Sequence, residues 1–238
     1  MIDVIIPATN KKEVEKVINH LISLGDFFGK IIIVDFDKSF PSMNFKQIEE
    51  LNNHVDLSYI FVTEQTYFNK SIAINIGYEL VVNEYVLICD ADVLLDKTFF
   101  EIAFDVWTTN QFIECVFSPE FVIESDNGEV RKGPGICLLK SAHFKKVAGY
   151  SSDYLGWGME DVDFLKRLEY IDVEPRKIAH AIHLSHSDEV RTRNYHCDSV
   201  SQMRLKNRQL FSQKHESHNL YGTLFDDFKH VCREVCLC

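Results

Sequence analysis

The segment "EYVLICDAD", residues 84–92, decides the fold of this 238-residue chain. Its apolar run "YVLIC", residues 85–89, is hydrophobic enough to be a central buried strand, and two aspartates follow where that strand ends. Other short apolar runs alternate with helical patterns through the first half of the sequence. Strands that alternate with helices predict right-handed crossovers and a mostly parallel central sheet with helices on both faces. The expected class is therefore α/β.

The remaining elements are predicted outward from this strand. In the first half the strands are "DVIIP" (3–7), "KIIIVDF" (30–36) and "SYIFVT" (58–63), with helices at about 11–24, 45–51 and 69–82. In the second half the pattern predicts a helix at 98–108, and then apolar stretches at 112–119 and 120–125 around a turn at 126–128. A strand at 135–140 and a short helix from Ser141 follow. The last predicted elements are a helix from Glu160 or Asp161 to about Tyr170 and a strand at 177–186. We expect a catalytic domain over 1–190, with halves at about 1–95 and 96–190, and a helical tail over 191–238.

Composition limits the classes of function. With 46% hydrophobic residues the chain is long enough to bury a sizeable core. A formal net charge of −11 argues against a nucleic-acid binder, so a phosphate-bearing ligand would need a local cation or metal. No export pattern follows Met1, no apolar run approaches the ~20 residues of a membrane span, and the seven cysteines form no paired motif. We expect a reduced, cytoplasmic protein.

Polar residues follow three of the predicted strands, at 7–9, 35–37 and 90–92. In a parallel sheet, ligands bind at the carboxyl ends of the strands, where these residues would meet. Two carboxylates separated by one residue, Asp90 and Asp92, can hold Mg²⁺ or Mn²⁺ incompletely and leave positions for phosphate oxygens and water. A solvated strand end is the alternative interpretation.

The segment "HLSH" supplies two candidate nitrogen ligands, His183 and His186. Imidazole suits Mn²⁺ better than Mg²⁺, and it complements carboxylates in a mixed site. Residues three apart in a strict strand face opposite sides, so both ligate only if the chain bends there, and His186 is the preferred ligand. Polar loop histidines remain the alternative, and His180 or His196 remain other candidates.

The segment "GWGMED", residues 156–161, places an aromatic residue and two acids together. Flanking glycines allow Trp157 to form a flat wall of a cleft, which suits the apolar face of a sugar ring. At the predicted helix N-terminus the dipole favours ionised Glu160 and Asp161, whereas like charge and burial raise their pKa values. A carboxylate that is ionised but still basic can act as a general base. An acidic helix cap beside a packed tryptophan is the alternative.

Together these segments resemble metal-dependent glycosyltransferases of the GT-A fold. The likeness rests on "VIIPATN" (4–10), "IIIVDFDKS" (31–39), "YFNKSIAINIGYEL" (67–80), "YVLICDADVLL" (85–95), "GPGICLLKSAHFKKVAGYSSDYLGWGMEDVDFLKRL" (133–168) and "HLSH" (183–186). It is similar to the β-1,4-galactosyltransferase catalytic region and to bacterial family 2 enzymes that build capsule, chondroitin-like or lipopolysaccharide chains. It implies a Rossmann-like nucleotide-diphospho-sugar transferase over roughly residues 2–186.

The resemblance also implies roles on the metal and diphosphate side. Asp92 would coordinate Mn²⁺, or Mg²⁺, which bridges the donor diphosphate, and Asp90 would lie against the donor ribose or sugar. His186 would be a metal ligand, and His183 takes the position where the galactosyltransferase pattern has a Met ligand. Lys70 falls near the diphosphate.

Other positions match the nucleoside and sugar parts of the site. The resemblance implies that Pro7, Ala8 and Thr9 line the nucleoside, and that Asp35, or Asp37 as its substitute, reads the base. It implies that Gly135 lies beside the donor sugar and that Trp157 and Glu160 lie near the sugars. Asp161 would be the catalytic base. The sequence departs from the family at Met159, where a glycine is usual, and at "IVDFDKS", which interrupts a paired Asp-Asp.

The implied activity is metal-dependent transfer, with inversion, of a hexose or N-acetylhexosamine from a UDP-sugar to a glycan or lipid-linked acceptor in bacterial surface polysaccharide or glycolipid synthesis. One rival is a sugar nucleotidyltransferase, whose Gly-rich, Arg-bearing loop should replace "PATNKKEVEK" (7–16). Another is a noncatalytic glycan-binding module. Basic tail residues suggest either peripheral contact with the inner membrane face or a solvated helix face. They are Arg191, Arg193, Arg204, Lys206 and Arg208.

Overall fold

The computed structural model describes residues 1–36, 41–62, 67–109, 113–132, 135–185, 199–219, 221–230 and 233–236. The strands are β1 (Ile2–Ala8), β2 (Phe28–Asp35), β3 (Asp56–Val62), β4 (Tyr85–Ile88), β5 (Val93–Leu95), β6 (Cys115–Glu124), β7 (Val130–Arg131), β8 (Cys137–Lys140), β9 (Glu174–His183) and β10 (Arg233–Cys236). The helices are α1 (Val14–Ser23), α2 (Phe45–Asn52), α3 (Lys70–Tyr78), α4 (Lys97–Thr109), α5 (Ser141–Lys146), α6 (Glu160–Glu169), α7 (Val200–Glu216) and α8 (Leu224–His230).

Within the described residues the strands form one mixed sheet. Its order is β10-β3-β2-β1-β4-β8-β6-β9-β5, and β7 pairs with β6 at the side. The strands of the first half are parallel, β3 to β2, β2 to β1 and β1 to β4, as the sequence predicts. In the second half only β6 and β9 pair in parallel, while β8 runs antiparallel to β4 and β6. The short turn between β6 and β7 permits only an antiparallel pair.

Helices cover both faces of the sheet. Successive side chains of a strand point to opposite faces, and the apolar side chains on each face are buried under these helices. Strand β1 shows the pattern, since Val4 and Ile6 join the cluster with α1, α2 and α4. Ile5 faces the other way and joins the cluster with α3, α5 and α6. All three side chains are fully buried. The expected α/β class is confirmed.

Two strand ends shape the site. Strand β4 ends at Ile88, so the segment of Asp90 and Asp92 forms a turn before β5 begins. Strand β9 ends at His183, earlier than predicted, so the chain has left the strand before residue 186. No helix in the described part of the chain is long and apolar enough to cross a membrane.

The tail contributes to the body of the protein. Asp227 of α8 accepts a hydrogen bond of 2.6 Å from the buried side chain of Asn75 in α3. The sequence predicts a helical tail, but the last strand, β10, pairs antiparallel with β3 at the edge of the sheet. Periodicity does not reveal this strand because a four-residue edge strand has too few residues to show an alternation.

Candidate active site

Loops that follow the parallel strands meet at one edge of the sheet. In the pairing of β1 with β2, Ala8 lies opposite Asp35, and Ile5 lies opposite Ile88 in the pairing of β1 with β4. The segment 90–92 therefore follows directly beside the end of β1. This edge is where the sequence predicts the ligand site.

Lys70 joins three of the predicted site residues. It is the first residue of α3, whose N-cap Asn69 accepts a 3.2 Å hydrogen bond from the backbone of Ile72. Its Nζ lies 2.7 Å from Asp90 Oδ1 and 3.4 Å from Asp161 Oδ1. The same Nζ donates to the backbone carbonyl of Gly135 at 3.3 Å. A single buried cation thus connects α3, the turn after β4, the segment before β8 and the start of α6.

The charges of this cluster perturb each other. Burial alone would lower the pKa of Lys70, but the carboxylates of Asp161, Asp90 and Glu160 outweigh it and raise that pKa well above its usual value. Burial raises the pKa of Asp90, and Asp161 and Asp92 add to the effect while Lys70 opposes it. Acids outnumber the cation here, so the cluster can accommodate a further positive charge.

Gly135 lets the backbone approach these charges closely. A Cβ at this position would lie 2.6 Å from Asp90 Oδ2 and 3.1 Å from Lys70 Nζ. A side chain would therefore displace both charged groups from their present contacts. The close approach accounts for a glycine at this point of the sequence.

Helix α6 begins with the acids of "GMED". Glu160, Asp161 and Asp163 occupy its first turn, where the helix dipole favours negative charge. Glu160 is only 5% exposed, and among the described residues its Oε2 has no hydrogen-bond partner. Burial, with a further contribution from Asp161, raises the pKa of Glu160 to about 8. At neutral pH the Glu160 carboxyl is therefore mainly protonated and able to donate a hydrogen bond.

The raised pKa predicts how Glu160→Gln changes stability. Between its usual pKa of 4.5 and about 8, the unfolded chain releases the Glu160 proton while the folded chain keeps it. Stability contributed by this group is thus present at low pH and falls by about 1.4 kcal/mol per pH unit in that window. We expect Glu160→Gln to match wild type near pH 4.5 and to be more stable near pH 8.

Urea denaturation at several pH values measures this difference. The exposed Glu49→Gln substitution is the control, because it removes one carboxyl from the surface, and its effect should stay small at every pH. If the difference in free energy of unfolding between Glu160→Gln and wild type stays the same from pH 4.5 to pH 8, the prediction is contradicted.

The loop before α6 is held by α7. Asn207 Nδ2 donates to the carbonyls of Gly158 at 2.8 Å and Leu155 at 3.1 Å. The guanidinium of Arg204 lies 3.9 Å from the centre of the Trp157 ring. The sequence predicts that Trp157 forms an open wall of a cleft, but Arg204 covers one face of the ring.

Met159 adopts a backbone conformation that favours glycine. Its φ is 82°, in the left-handed region, and it directly precedes α6. A residue with a Cβ is strained there by about 1–3 kcal/mol. Glycine, which the resemblance implies at this position, adopts this conformation without that strain.

The third acid of the segment, Asp163, makes contacts that stabilise the fold. Asp163 is 1% exposed and forms a 2.9 Å ion pair with the equally buried Arg167. It also accepts from Tyr154 Oη at 3.0 Å and lies 3.1 Å from His215 Nε2. Arg167 in turn donates to the carbonyl of Gly149 at 2.7 Å. Asp163 thus anchors α6, while Glu160 and Asp161 face the Lys70 cluster.

A second cluster surrounds Asp92. Its Oδ2 lies 2.6 Å from Lys11 Nζ, and its Oδ1 lies 3.6 Å from His183 Nε2. The other ring nitrogen of His183, Nδ1, lies 2.8 Å from Glu124 Oε2. Asp92 and His183 come from different strand ends, β4 and β9, and the structure brings them together as the metal hypothesis requires.

A divalent ion fits the donors of this cluster. A carboxylate oxygen and an imidazole nitrogen suit Mn²⁺, and a carboxylate on the second nitrogen of the imidazole is typical of metal-bound histidines. Among the described residues no group of three or more His, Cys, Asp or Glu side chains converges on a metal position. Two protein donors suit an ion that shares its coordination with a diphosphate. His186, His196 and Asp37 lie outside the described residues.

The predicted nucleoside side is compact. Asp35 is fully buried, and its Oδ2 accepts from the Ser42 backbone at 2.7 Å and from Tyr59 Oη at 2.5 Å. Pro7, Ala8 and Thr9 lie at the end of β1 beside it and are also buried. Asp35 therefore holds the backbone of Ser42 and the hydroxyl of Tyr59 at the end of β2.

Sequence reasoning misses several residues of the site. They are Lys11, Glu124, Arg131, Arg204 and Asn207. The sequence pattern predicts Lys11 only as the start of a helix. Its position four residues after Pro7, close to the end of a predicted strand, is a signal that it lies near the site. The others act through contacts between distant segments, and no local pattern marks them.

The chain matches known protein families over most of its length. The model described as glycosyl transferase family 2 matches residues 3–152, and that described as the N-terminal domain of galactosyltransferase matches residues 122–189. The chain is 29% identical to beta-1,4-galactosyltransferase 7 of Drosophila melanogaster over 117 residues, 46% of this chain and 34% of that protein. The matched region is thus about a third of that relative's length.

Solved structures share the fold. TarS of S. aureus in complex with UDP-GlcNAc superposes with a TM-score of 0.63 and 15% identity, covering 90% of this chain and 66% of that one. A mutant of the Drosophila β1,4-galactosyltransferase 7 in complex with manganese, UDP-Gal and xylobiose gives 0.53 and 16%, covering 85% and 78%. These likenesses confirm the GT-A fold.

Proposed function

The chain belongs to glycosyl transferase family 2, and from that premise we propose that it is a metal-dependent, inverting glycosyltransferase. In this proposal it moves a hexose or N-acetylhexosamine from a UDP-sugar to a hydroxyl of a glycan or lipid-linked acceptor. The observation that carries the proposal is the contact of Lys70 with both Asp90 and Asp161, at 2.7 and 3.4 Å. This contact brings together a cation that suits a diphosphate and a carboxylate that suits the activation of an acceptor.

Lys70 and Lys11 supply the positive charge that a donor diphosphate needs. Both are mostly buried, with 13% and 17% of their side chains exposed. In a chain of net charge −11, local cations of this kind are required to hold a polyanion. Asp90 would orient the donor ribose or sugar, and Gly135 packs directly against it, since a Cβ there would lie 2.6 Å from Asp90 Oδ2.

Asp161 is the proposed general base and Glu160 its partner in acceptor binding. Asp161 would remove the proton of the acceptor hydroxyl as that oxygen attacks the anomeric carbon opposite the leaving diphosphate. Because its pKa is raised to about 8, Glu160 can donate a hydrogen bond to an acceptor oxygen at neutral pH. The face of Trp157 opposite Arg204 would support a sugar ring.

Asp92 and His183 would hold Mn²⁺, or Mg²⁺, with His186 as the further ligand that the sequence predicts. When bound, the ion offsets the charge of the leaving diphosphate as a Lewis acid. The 3.6 Å separation of Asp92 Oδ1 and His183 Nε2 supports this assignment. A structural relative with bound manganese and UDP-Gal adds support from the fold.

The acceptor and the cellular role belong to the same proposal. We propose synthesis of a bacterial surface polysaccharide or glycolipid in the cytoplasm. Peripheral membrane contact through the basic tail residues stays a prediction: Arg191 and Arg193 lie outside the described residues, and the guanidinium of Arg204 lies over the ring of Trp157. A solvated helix face explains these charges more simply.

Hydrolysis of donors tests the proposal. Purified protein with Mn²⁺ is expected to release UDP slowly from one or a few members of a panel of UDP-sugars, and to lose this activity with EDTA. No pyrophosphate should form from a sugar 1-phosphate and UTP. Formation of pyrophosphate would favour a nucleotidyltransferase instead, whereas glycan binding with neither reaction would favour a noncatalytic module.

A further inference from the structure

We propose that Glu124 is a positioning residue for His183, and that it keeps the hydrogen of the imidazole on Nδ1 so that the lone pair of Nε2 is directed at Asp92. This inference rests on the proposed function, since it assumes that His183 binds the divalent ion. Its test below separates failure of the inference from failure of the metal assignment.

The contacts of His183 are asymmetric. Glu124 Oε2 lies 2.8 Å from Nδ1, whereas Asp92 Oδ1 lies 3.6 Å from Nε2. The side chains of both His183 and Glu124 are mostly buried, with 8% and 11% exposed. Of its two carboxylate contacts within the described residues, the ring therefore has the closer one at Nδ1 and the wider one on the side of the proposed ion.

Glu124 is itself held in place from two directions. Arg131 of β7 forms an ion pair with its Oε1, and Ser185 Oγ donates to its Oε2 at 2.6 Å. The backbone N–H of Ser125 also donates to the carbonyl of His183 at 2.9 Å. The hairpin of β6 and β7 is thus fixed to the end of β9, and the Glu124 carboxylate has little freedom to leave His183.

Glu124 and Arg131 favour opposite tautomers of the ring. Arg131 Nη2 lies 3.1 Å from His183 Nδ1. A carboxylate can only accept, so it favours hydrogen on Nδ1, whereas a guanidinium can only donate, so it favours hydrogen on Nε2. Hydrogen on Nε2 would prevent that nitrogen from binding a metal. By pairing with Arg131 and accepting from Nδ1, Glu124 selects the tautomer that can ligate.

Removal of Glu124 should therefore weaken metal binding without removing any ligand. Loss of a carboxylate behind a metal-bound histidine typically costs about 10–100-fold in affinity. We expect this loss for Glu124→Ala in Mn²⁺ binding to the full chain, followed by electron paramagnetic resonance of free Mn²⁺ without nucleotide sugar. Glu124→Gln, whose amide oxygen can still accept from Nδ1, should fall between Glu124→Ala and wild type.

Two further variants make the result specific. Glu120→Ala removes the same charge from an exposed position of β6 and should bind Mn²⁺ as wild type does. His183→Ala should bind it weakly. If His183→Ala binds as tightly as wild type, the metal role of His183 fails; if it is weakened while Glu124→Ala equals Glu120→Ala, the positioning role of Glu124 fails.

The tautomer gives a readout that a merely structural role would not change. Nitrogen NMR of ¹⁵N-histidine-labelled protein without metal should show hydrogen on Nδ1 of His183 in wild type, and a shift towards Nε2 in Glu124→Ala. This measurement on wild type and Glu124→Gln decides the question even if Glu124→Ala does not fold. Hydrogen on Nε2 in the wild-type protein would overturn the proposal.

Discussion

Asp161→Asn is expected to reduce glycosyl transfer by about 10²–10⁴-fold, the usual contribution of a general base. Asparagine keeps the shape of the side chain but cannot take the acceptor proton. Binding of UDP should change by no more than a few-fold, because Lys70 keeps its 2.7 Å contact with Asp90. Turnover with a saturating acceptor and UDP titration calorimetry measure the two quantities separately.

The control for this substitution is Asp172→Asn, which lies just beyond α6 and is exposed. Its φ of 64° is one that asparagine also tolerates, so the change removes charge without altering the backbone. It should leave both transfer and UDP binding unchanged. If Asp161→Asn weakens transfer and UDP binding equally, Asp161 is structural, and if transfer survives, another group is the base.

Arg167→Met is expected to lower the free energy of unfolding by about 3–5 kcal/mol, because it leaves a buried carboxylate without its cation. Asp163 is 1% exposed and would keep only the contacts with Tyr154 and His215. The carbonyl of Gly149 would also lose its donor. Urea denaturation at pH 7 measures the loss.

Lys166→Met is the matched control, since it removes a cation from the neighbouring position of the same helix. The ion pair of Lys166 with Glu169 is exposed and screened by solvent, so its loss should cost much less than that of the buried pair. Adding Asp163→Asn to Arg167→Met should recover part of the lost stability, because the unpaired charge is then gone. A loss below about 1 kcal/mol for Arg167→Met would show that the buried pair contributes little.

The parallel half of the sheet is predictable from the sequence because its strands carry apolar side chains on both faces. β2 and β4 are almost continuous apolar runs, and the acids that follow them mark the strand ends. The start of α6 is also predictable, since acids crowd its first turn. The fold class, the acids after β4 and the acids at the start of α6 follow from these local patterns, whereas the place of Lys70 follows only from the family resemblance.

Contacts between distant segments are not predictable from local patterns. Lys70 and Gly135 are 65 residues apart, and Asn207 and Gly158 are 49 apart. The preference for His186 over His183 as metal ligand comes from strand alternation, which does not report the 2.8 Å contact between Glu124 and His183. The roles of the individual site residues remain predictions, which the substitutions above test.

The short strands at both ends of the sheet have a consequence for behaviour at high concentration. Among the described strands, β10 covers β3 on one side with four residues, and β5 closes the other side with three. β5 pairs with only residues 181–183 of β9, so among the described strands residues 174–180 form an edge without a strand partner on that side. The net charge of −11 opposes the approach of a second molecule to this edge, so we expect association through it to increase at high salt, where that charge is screened.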